Sequence, residues 1–297
     1  MPTGFPAAAS LQSNRTFFKK IPVPPSRPTP TRPIRFPRSE AWQWPHGARA
    51  AISLTYDDGN ANNLDQAMPD LEAAGFRATF YLQTARADMQ LRVADWRAAH
   101  ARGHEIGNHT VHHWCRAQPY LERLGRTPAW LTRPLESVSP AEIAAEVAAA
   151  ADWLDQHIGT DPDRTFAHPC GALAIGVEPD EASYDAAILQ RHFAARSCLT
   201  AVNDPATVQM LRIGGFDGQG AVAQPSITHC EAALATGGWT VLIFHGIGGP
   251  SHTFERAAHQ ELLAHLQARD YWVAPVKTVG RFVEAGQRAS GRVAAGA

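Results

Sequence analysis

From Arg49 onward, short apolar runs alternate with amphipathic stretches, and this rhythm predicts strands followed by helices. The runs Ala51–Tyr56, Ala78–Gln83, His104–Asn108, Thr165–His168, His192–Arg196, Met210–Gly214, Trp239–Phe244 and Tyr271–Ala274 read as strands. Helical spacing falls on Asn62–Ala74, Ala94–Arg102, Pro140–His157, Glu181–Gln190, Thr228–Ala235, Phe254–Gln267 and Lys277–Ala285. The sharpest boundary is Ser139-Pro140-Ala141-Glu142. It sets a hydroxyl at the N-cap, proline at N1 and glutamate at N3, the reciprocal arrangement that satisfies two orphan backbone donors.

Strands alternating with helices call for a parallel sheet with helical cover. Seven or eight such units in about 240 residues predict an α/β fold, an irregular (β/α) barrel of seven to eight strands. An open doubly wound sheet is the alternative, weakened because neither GxGxxG nor GxxxxGK[ST] follows a strand. In both architectures chemistry belongs at the C-terminal ends of the strands. Residues Trp114–Val138 form a long insertion after the third strand, and long loops are often functional.

Residues 1–48 read as a proline-rich N-terminal tail, surface-wrapping or disordered, because each proline between Ile21 and Pro37 removes a backbone donor. The expected domain spans 49–288, with 289–297 as a C-terminal tail. The balance of 27 basic against 28 acidic residues gives no support to nucleic-acid binding, and no apolar run is long enough to span a bilayer. The first thirty residues lack a continuous apolar segment, so no secretory signal is visible and a cytoplasmic location is expected. The four cysteines, Cys115, Cys170, Cys198 and Cys230, show no CxxC pair and are expected to be reduced. Fourteen histidines direct attention to metals or proton transfer.

Four segments carry candidate chemistry. Thr55-Tyr56-Asp57-Asp58-Gly59 ends an apolar strand with adjacent carboxylates, whose repulsion calls for a positive partner. His109-Thr110-Val111-His112-His113 follows another strand. On a helical turn His109 would share a side with His113 or with His112, so spacing leaves the second ligand open. Two histidines, one carboxylate and open positions for water form a recurrent catalytic metal plan. Phe166-Ala167-His168-Pro169-Cys170-Gly171 and Trp239 to Gly246, which includes His245, are two further strand ends on the same expected rim. The Pro-Cys-Gly turn could aim a backbone N–H into the barrel mouth.

Together, and in this order, TYDDG, HTVHH, HPCG and IFH resemble the blocks of the polysaccharide deacetylase family, also called the NodB-homology or carbohydrate esterase family four fold. The similarity runs from about Arg49 to Val283. The resemblance implies a metal-dependent hydrolase that removes N- or O-linked acetyl groups from a carbohydrate. It implies Asp57 as general base, His245 as general acid and the Cys170 backbone N–H as oxyanion donor. Asp58, His109 and His113 are then the ligands of one divalent ion, zinc first, with cobalt or nickel as alternatives. An allantoinase-like amidase acting on small linear or cyclic amides and a carbohydrate-binding pseudoenzyme are the rival readings.

Two departures stand out. Many members carry arginine two residues before the proline of the third block, where this chain has Ala167; Arg196 or Arg212 is expected to replace it. The acidic block that tunes the acid histidine has no clear match, leaving Asp204 and Asp217 as candidates. Tyr56, Trp114, Tyr120, Trp130 and Trp272 are candidate stacking surfaces for sugar rings.

Overall fold

The strand runs rich in Ala, Ile, Leu, Val and Phe become β1 (Ala50–Tyr56), β2 (Thr79–Leu82), β3 (Glu105–Asn108) and β4 (Phe166–Ala167) in the computed structural model, which describes residues 42–249 and 253–291. A short hairpin, β5 (Ala174–Ile175) and β6 (Ala182–Ser183), follows, then β7 (Ala195–Arg196), β8 (Phe216–Asp217) and β9 (Trp239–Phe244). The pair β10 (Gly246–Ile247) and β11 (Thr253–Phe254) precedes the last strand, β12 (Tyr271–Val273).

The main sheet is parallel throughout, in the order β7-β4-β3-β2-β1-β9-β8, with β12 also paired to the start of β1. All seven residues of β1 are buried, as expected for a strand covered on both faces. Its six-residue register with β9, from Ala51↔Trp239 to Tyr56↔Phe244, forms the longest seam. The sheet curls into an irregular (β/α) barrel. The segment after the Met210–Arg212 turn closes it: Ile213 bridges to Arg196, and β8 then pairs with β9. That turn lies inside the expected Met210–Gly214 strand, and the strand itself comes later, because Gly214 and Gly215 pack too closely on Leu199 and Ile243 to carry side chains.

Helix Pro140–His157 starts and ends where the sequence predicts, with the Ser139–Glu142 capping box formed. Its Ile143, Val147, Ala150 and Leu154 are buried toward the barrel. Helix Gln118–Leu124 arises inside the 114–138 insertion, where no helix was expected. Trp44 is buried in a core cluster with Trp239 and Val283 and stacks 5.8 Å from Phe282, and Trp42 and Ala48 pack against the same cluster. The expectation for the remainder of the tail falls on residues 1–41, outside the described residues. At the other end the last helix, Val276–Ala289, runs into the expected C-terminal tail. No helix among the described residues is long and apolar enough to cross a membrane.

Candidate metal centre and active site

Each side chain of the candidate site sits at or just beyond the C-terminal end of a parallel strand: Asp57 and Asp58 after β1, His109 after β3, Cys170 after β4, Arg196 in β7 and His245 after β9. Parallel strands put these ends on one rim. Asn60, two residues past the aspartates, bonds through its Nδ2 to the carbonyls of both Asp57 and His245, tying the β1 and β9 ends together.

The HTVHH segment is not a helix. Thr110 and His113 take left-handed φ angles of 64° and 57°, which fold the chain back so that His113 faces His109. Asn108 Oδ1 accepts from the Thr110 N–H at 2.8 Å, and Thr110 Oγ1 accepts from the His113 N–H at 3.0 Å. These bonds offset the cost of the conformation, about 1–3 kcal/mol per residue. Asp58 and Cys170 are also left-handed, at 73° and 53°, so four of the five described non-glycine residues with positive φ belong to this rim. Such outliers cluster at functional sites.

The turn also settles which histidine faces Asp58. His112 is half exposed, bonds Glu146 through Nδ1 at 3.0 Å and stacks on Trp114. His113 Nε2 lies 3.5 Å from Asp58 Oδ1, and His109 Nε2 lies 3.7 Å from the same atom. One ligand atom from each of the three comes within 4.8 Å of the others. His109 Nδ1 pairs with the Ala167 carbonyl at 2.9 Å, which leaves Nε2 to face inward. Asp58 Oδ1 and His109 Nε2 are buried without a hydrogen-bond partner. Buried polar atoms normally find partners, and an oxygen and a nitrogen orphaned side by side fit a cation between them. Burial pushes the His109 and His113 imidazoles down, His113 to about 4, so both are neutral and able to ligate near pH 7.

Asp57 is the buried neighbour of this set, its Oδ2 3.9 Å from His109 Nε2. Burial pushes its carboxyl up, but Arg196, His109 and His245 outweigh that and hold it below the ordinary aspartate value. The Arg196 guanidinium, itself fully buried, donates from Nη2 to both Asp57 oxygens at 2.7 and 2.6 Å. Arg212 instead pairs with Asp185 at 2.6 Å and does not replace the missing arginine.

The expectation of four reduced cysteines is wrong for two of them. Cys115 and Cys170 form a disulfide, Cα–Cα 5.8 Å, while Cys198 and Cys230 are free. The bond ties the loop after His113 to the turn after β4, and Cys115 Sγ lies 3.6 Å from His113 Nδ1. The cluster His113, Cys115 and Cys170 also has ligand spacing, but sulfurs joined to each other are not thiolates. Asp58, His109 and His113 are therefore the set competent for an ion.

Residues 46–186 match the sequence model of the family described as polysaccharide deacetylase. The matched stretch includes Asp57, Asp58, His109, His113 and Cys170 and is similar to that family. No curated protein matches it. A candidate polysaccharide deacetylase from Mycobacterium smegmatis shares the fold at TM-score 0.57 and 14% identity, over 84% of this chain and 95% of that one. A peptidoglycan deacetylase from Bacillus subtilis superposes at TM-score 0.50 and 18% identity, over 82% and 95% of the two chains. A peptidoglycan N-acetylglucosamine deacetylase solved with a hydroxamate-type benzamide does so at 0.52 and 16%, over 79% and 89%.

Of the two residues expected to take the place of the family arginine, Arg196 is the one in contact with Asp57. Ala167, where the family motif carries arginine, is the register partner of Arg196 across β4 and β7, so the guanidinium reaches Asp57 from the adjacent strand. The stacking candidates fare unevenly. Tyr56 is buried among Phe80 and Phe244 and bonds His259 at 2.7 Å, so it cannot meet a substrate. Trp272 pairs beside Ala51 at the far end of β1 and packs on Trp44 and Phe282, also away from the rim. Trp114 is half-buried between His112 and Arg133. Trp130 is exposed and 6.2 Å from the His113 ring, with Tyr120 edge-on to it at 5.4 Å. Asp204 caps its own turn and Asp217 bonds Gln219.

Proposed function

We propose that the chain is a hydrolase that removes N- or O-linked acetyl groups from a carbohydrate, using one divalent ion, zinc, held by Asp58, His109 and His113. The observation that carries this reading is the meeting of those three ligand atoms beside a buried, ionised Asp57. When bound, a divalent ion supplies Lewis acidity at the acyl oxygen and makes water easier to deprotonate.

The chain's own residues divide the remaining work. Asp57, kept ionised by Arg196, takes a proton from the attacking water as general base. The Cys170 backbone N–H donates to the oxygen that gains charge in the tetrahedral intermediate, a contact whose loss typically costs about 3 kcal/mol of barrier. His245 acts as general acid toward the departing nitrogen or oxygen. The main-chain role of Cys170 explains why a half-cystine serves where the family usually has an aromatic residue. The aromatic pair Trp130 and Tyr120 supports a sugar ring beside His113. The Cys115–Cys170 disulfide favours an oxidising compartment over the cytoplasm.

Acetate release from a panel of N- and O-acetylated glycans, with and without chelator, tests the reading. Chelator-sensitive release supports it. Turnover of small cyclic or linear amides with no acetate released from any glycan would replace it with the amidase alternative.

A further inference from the structure

The insertion after β3 builds one wall of an open cleft of about 420 Å³, lined by Arg116, Pro119, Tyr120, Arg123, Cys170 and Ala172. The cleft adjoins the candidate active site. Cys170 belongs to both, the Tyr120 hydroxyl is 3.4 Å from Cys170 Sγ, and the Tyr120 ring leads through Trp130 to His113.

Among the described residues the lining holds two cations and no carboxylate. Arg116 is already engaged: Glu181 lies 3.3 Å away, Glu136 lies 3.7 Å away, and the carbonyls of Ala174 and Gly176 accept from it. Arg123 differs. It is exposed, sits 5.5 Å over the Tyr120 ring, and pairs with no carboxylate among the described residues. The neighbouring Glu122 takes its hydrogen bond from Gln118 instead.

We propose that this cleft is a subsite for a carboxylate-bearing sugar unit of the acetylated glycan, with Arg123 as the partner of the carboxylate. The proposal rests on the deacetylase reading of the adjoining centre. An aromatic face beside a planar, two-pronged guanidinium matches a sugar ring that carries a carboxylate. Pro119 and Ala172 supply the apolar remainder of the wall.

The test compares one N-acetylated, carboxylate-bearing oligosaccharide with the same material after its carboxylates are converted to neutral amides. For the wild-type chain, kcat/KM for the acid form exceeds that for the amide form by about tenfold at low salt, carried by KM, and the ratio shrinks as salt screens the pair. Arg123→Gln brings the ratio to about one, Arg123→Glu takes it below one, and Arg123→Lys restores part of it. A wild-type ratio of one, or a ratio that Arg123→Gln leaves intact, overturns the proposal. Calorimetric binding of the same two oligosaccharides separates the subsite from the chemistry. Tighter binding of the acid form that depends on Arg123 upholds the subsite even where no acetate is released, whereas equal binding of both forms rejects it.

Discussion

Arg196 holds both carboxylate oxygens of Asp57 through one guanidinium nitrogen, although 139 residues separate them in sequence. Both side chains are buried, and the Tyr81 ring lies 5.2 Å under the guanidinium. Two opposed forces act on Asp57: burial disfavours its charge, while Arg196 and the neighbouring histidines favour it. The second outweighs the first, which is what a general base at neutral pH requires.

Removing Arg196 therefore reverses the balance. In Arg196→Gln the burial remains and the counter-charge is gone, so the Asp57 pKa rises and the acidic limb of the kcat/KM profile moves to higher pH. The pair also links stability to pH. Because the folded carboxyl titrates lower than the unfolded one, its contribution is present above the ordinary aspartate range and is lost as pH falls through the folded value. Denaturant melts at pH 7 should show Arg196→Gln destabilised by about 3–5 kcal/mol, the usual cost of breaking a buried pair. That gap should narrow in strong acid. An unmoved acidic limb would contradict the role given to Arg196.

Asp57→Asn separates the two adjacent aspartates. It should lower kcat by roughly 100-fold or more, as loss of a general base does, while zinc still binds one per chain by elemental analysis. Loss of the metal in this variant would mean that the roles of Asp57 and Asp58 are exchanged.

His112 and His113 offer a matched comparison. His113→Ala should abolish tight zinc binding, since its Nε2 faces Asp58. His112→Ala should keep it and shift stability by only about 1 kcal/mol, because His112 is half exposed and loses a bond to Glu146 and a stack on Trp114, neither of which touches Asp58. Equal metal loss in both variants would place the second ligand wrongly.

The disulfide couples the loop after His113 to the turn after β4. Cys115→Ser with Cys170→Ser, or treatment with a dithiol reductant, should lower kcat more than it raises KM and cost about 2–4 kcal/mol of stability. Unchanged kcat after verified reduction would show that the turn holds its place without the bond.

The sequence exposed those features that local chemistry controls. Helix Pro140–His157 is bounded by its own capping box, and β1, β3 and β9 end directly at the residues that form the site. Features that depend on three-dimensional neighbours were not legible. The choice between His112 and His113 rests on left-handed residues that a helical spacing argument does not anticipate. The Arg196–Asp57 contact needs the β4–β7 register, and Cys115 meets Cys170 across 55 residues only because β3 and β4 are neighbours. Tyr56 and Trp272 were expected to meet sugar, but strand alternation and strand position turn them into packing residues.

Anomalous diffraction at the zinc edge from crystals soaked in zinc tests the central claim most directly. The account predicts a single strong peak bounded by Asp58 Oδ1, His109 Nε2 and His113 Nε2, with Asp57 alongside but not ligating. Absence of a peak there, with the three side chains turned away from one another, would contradict it.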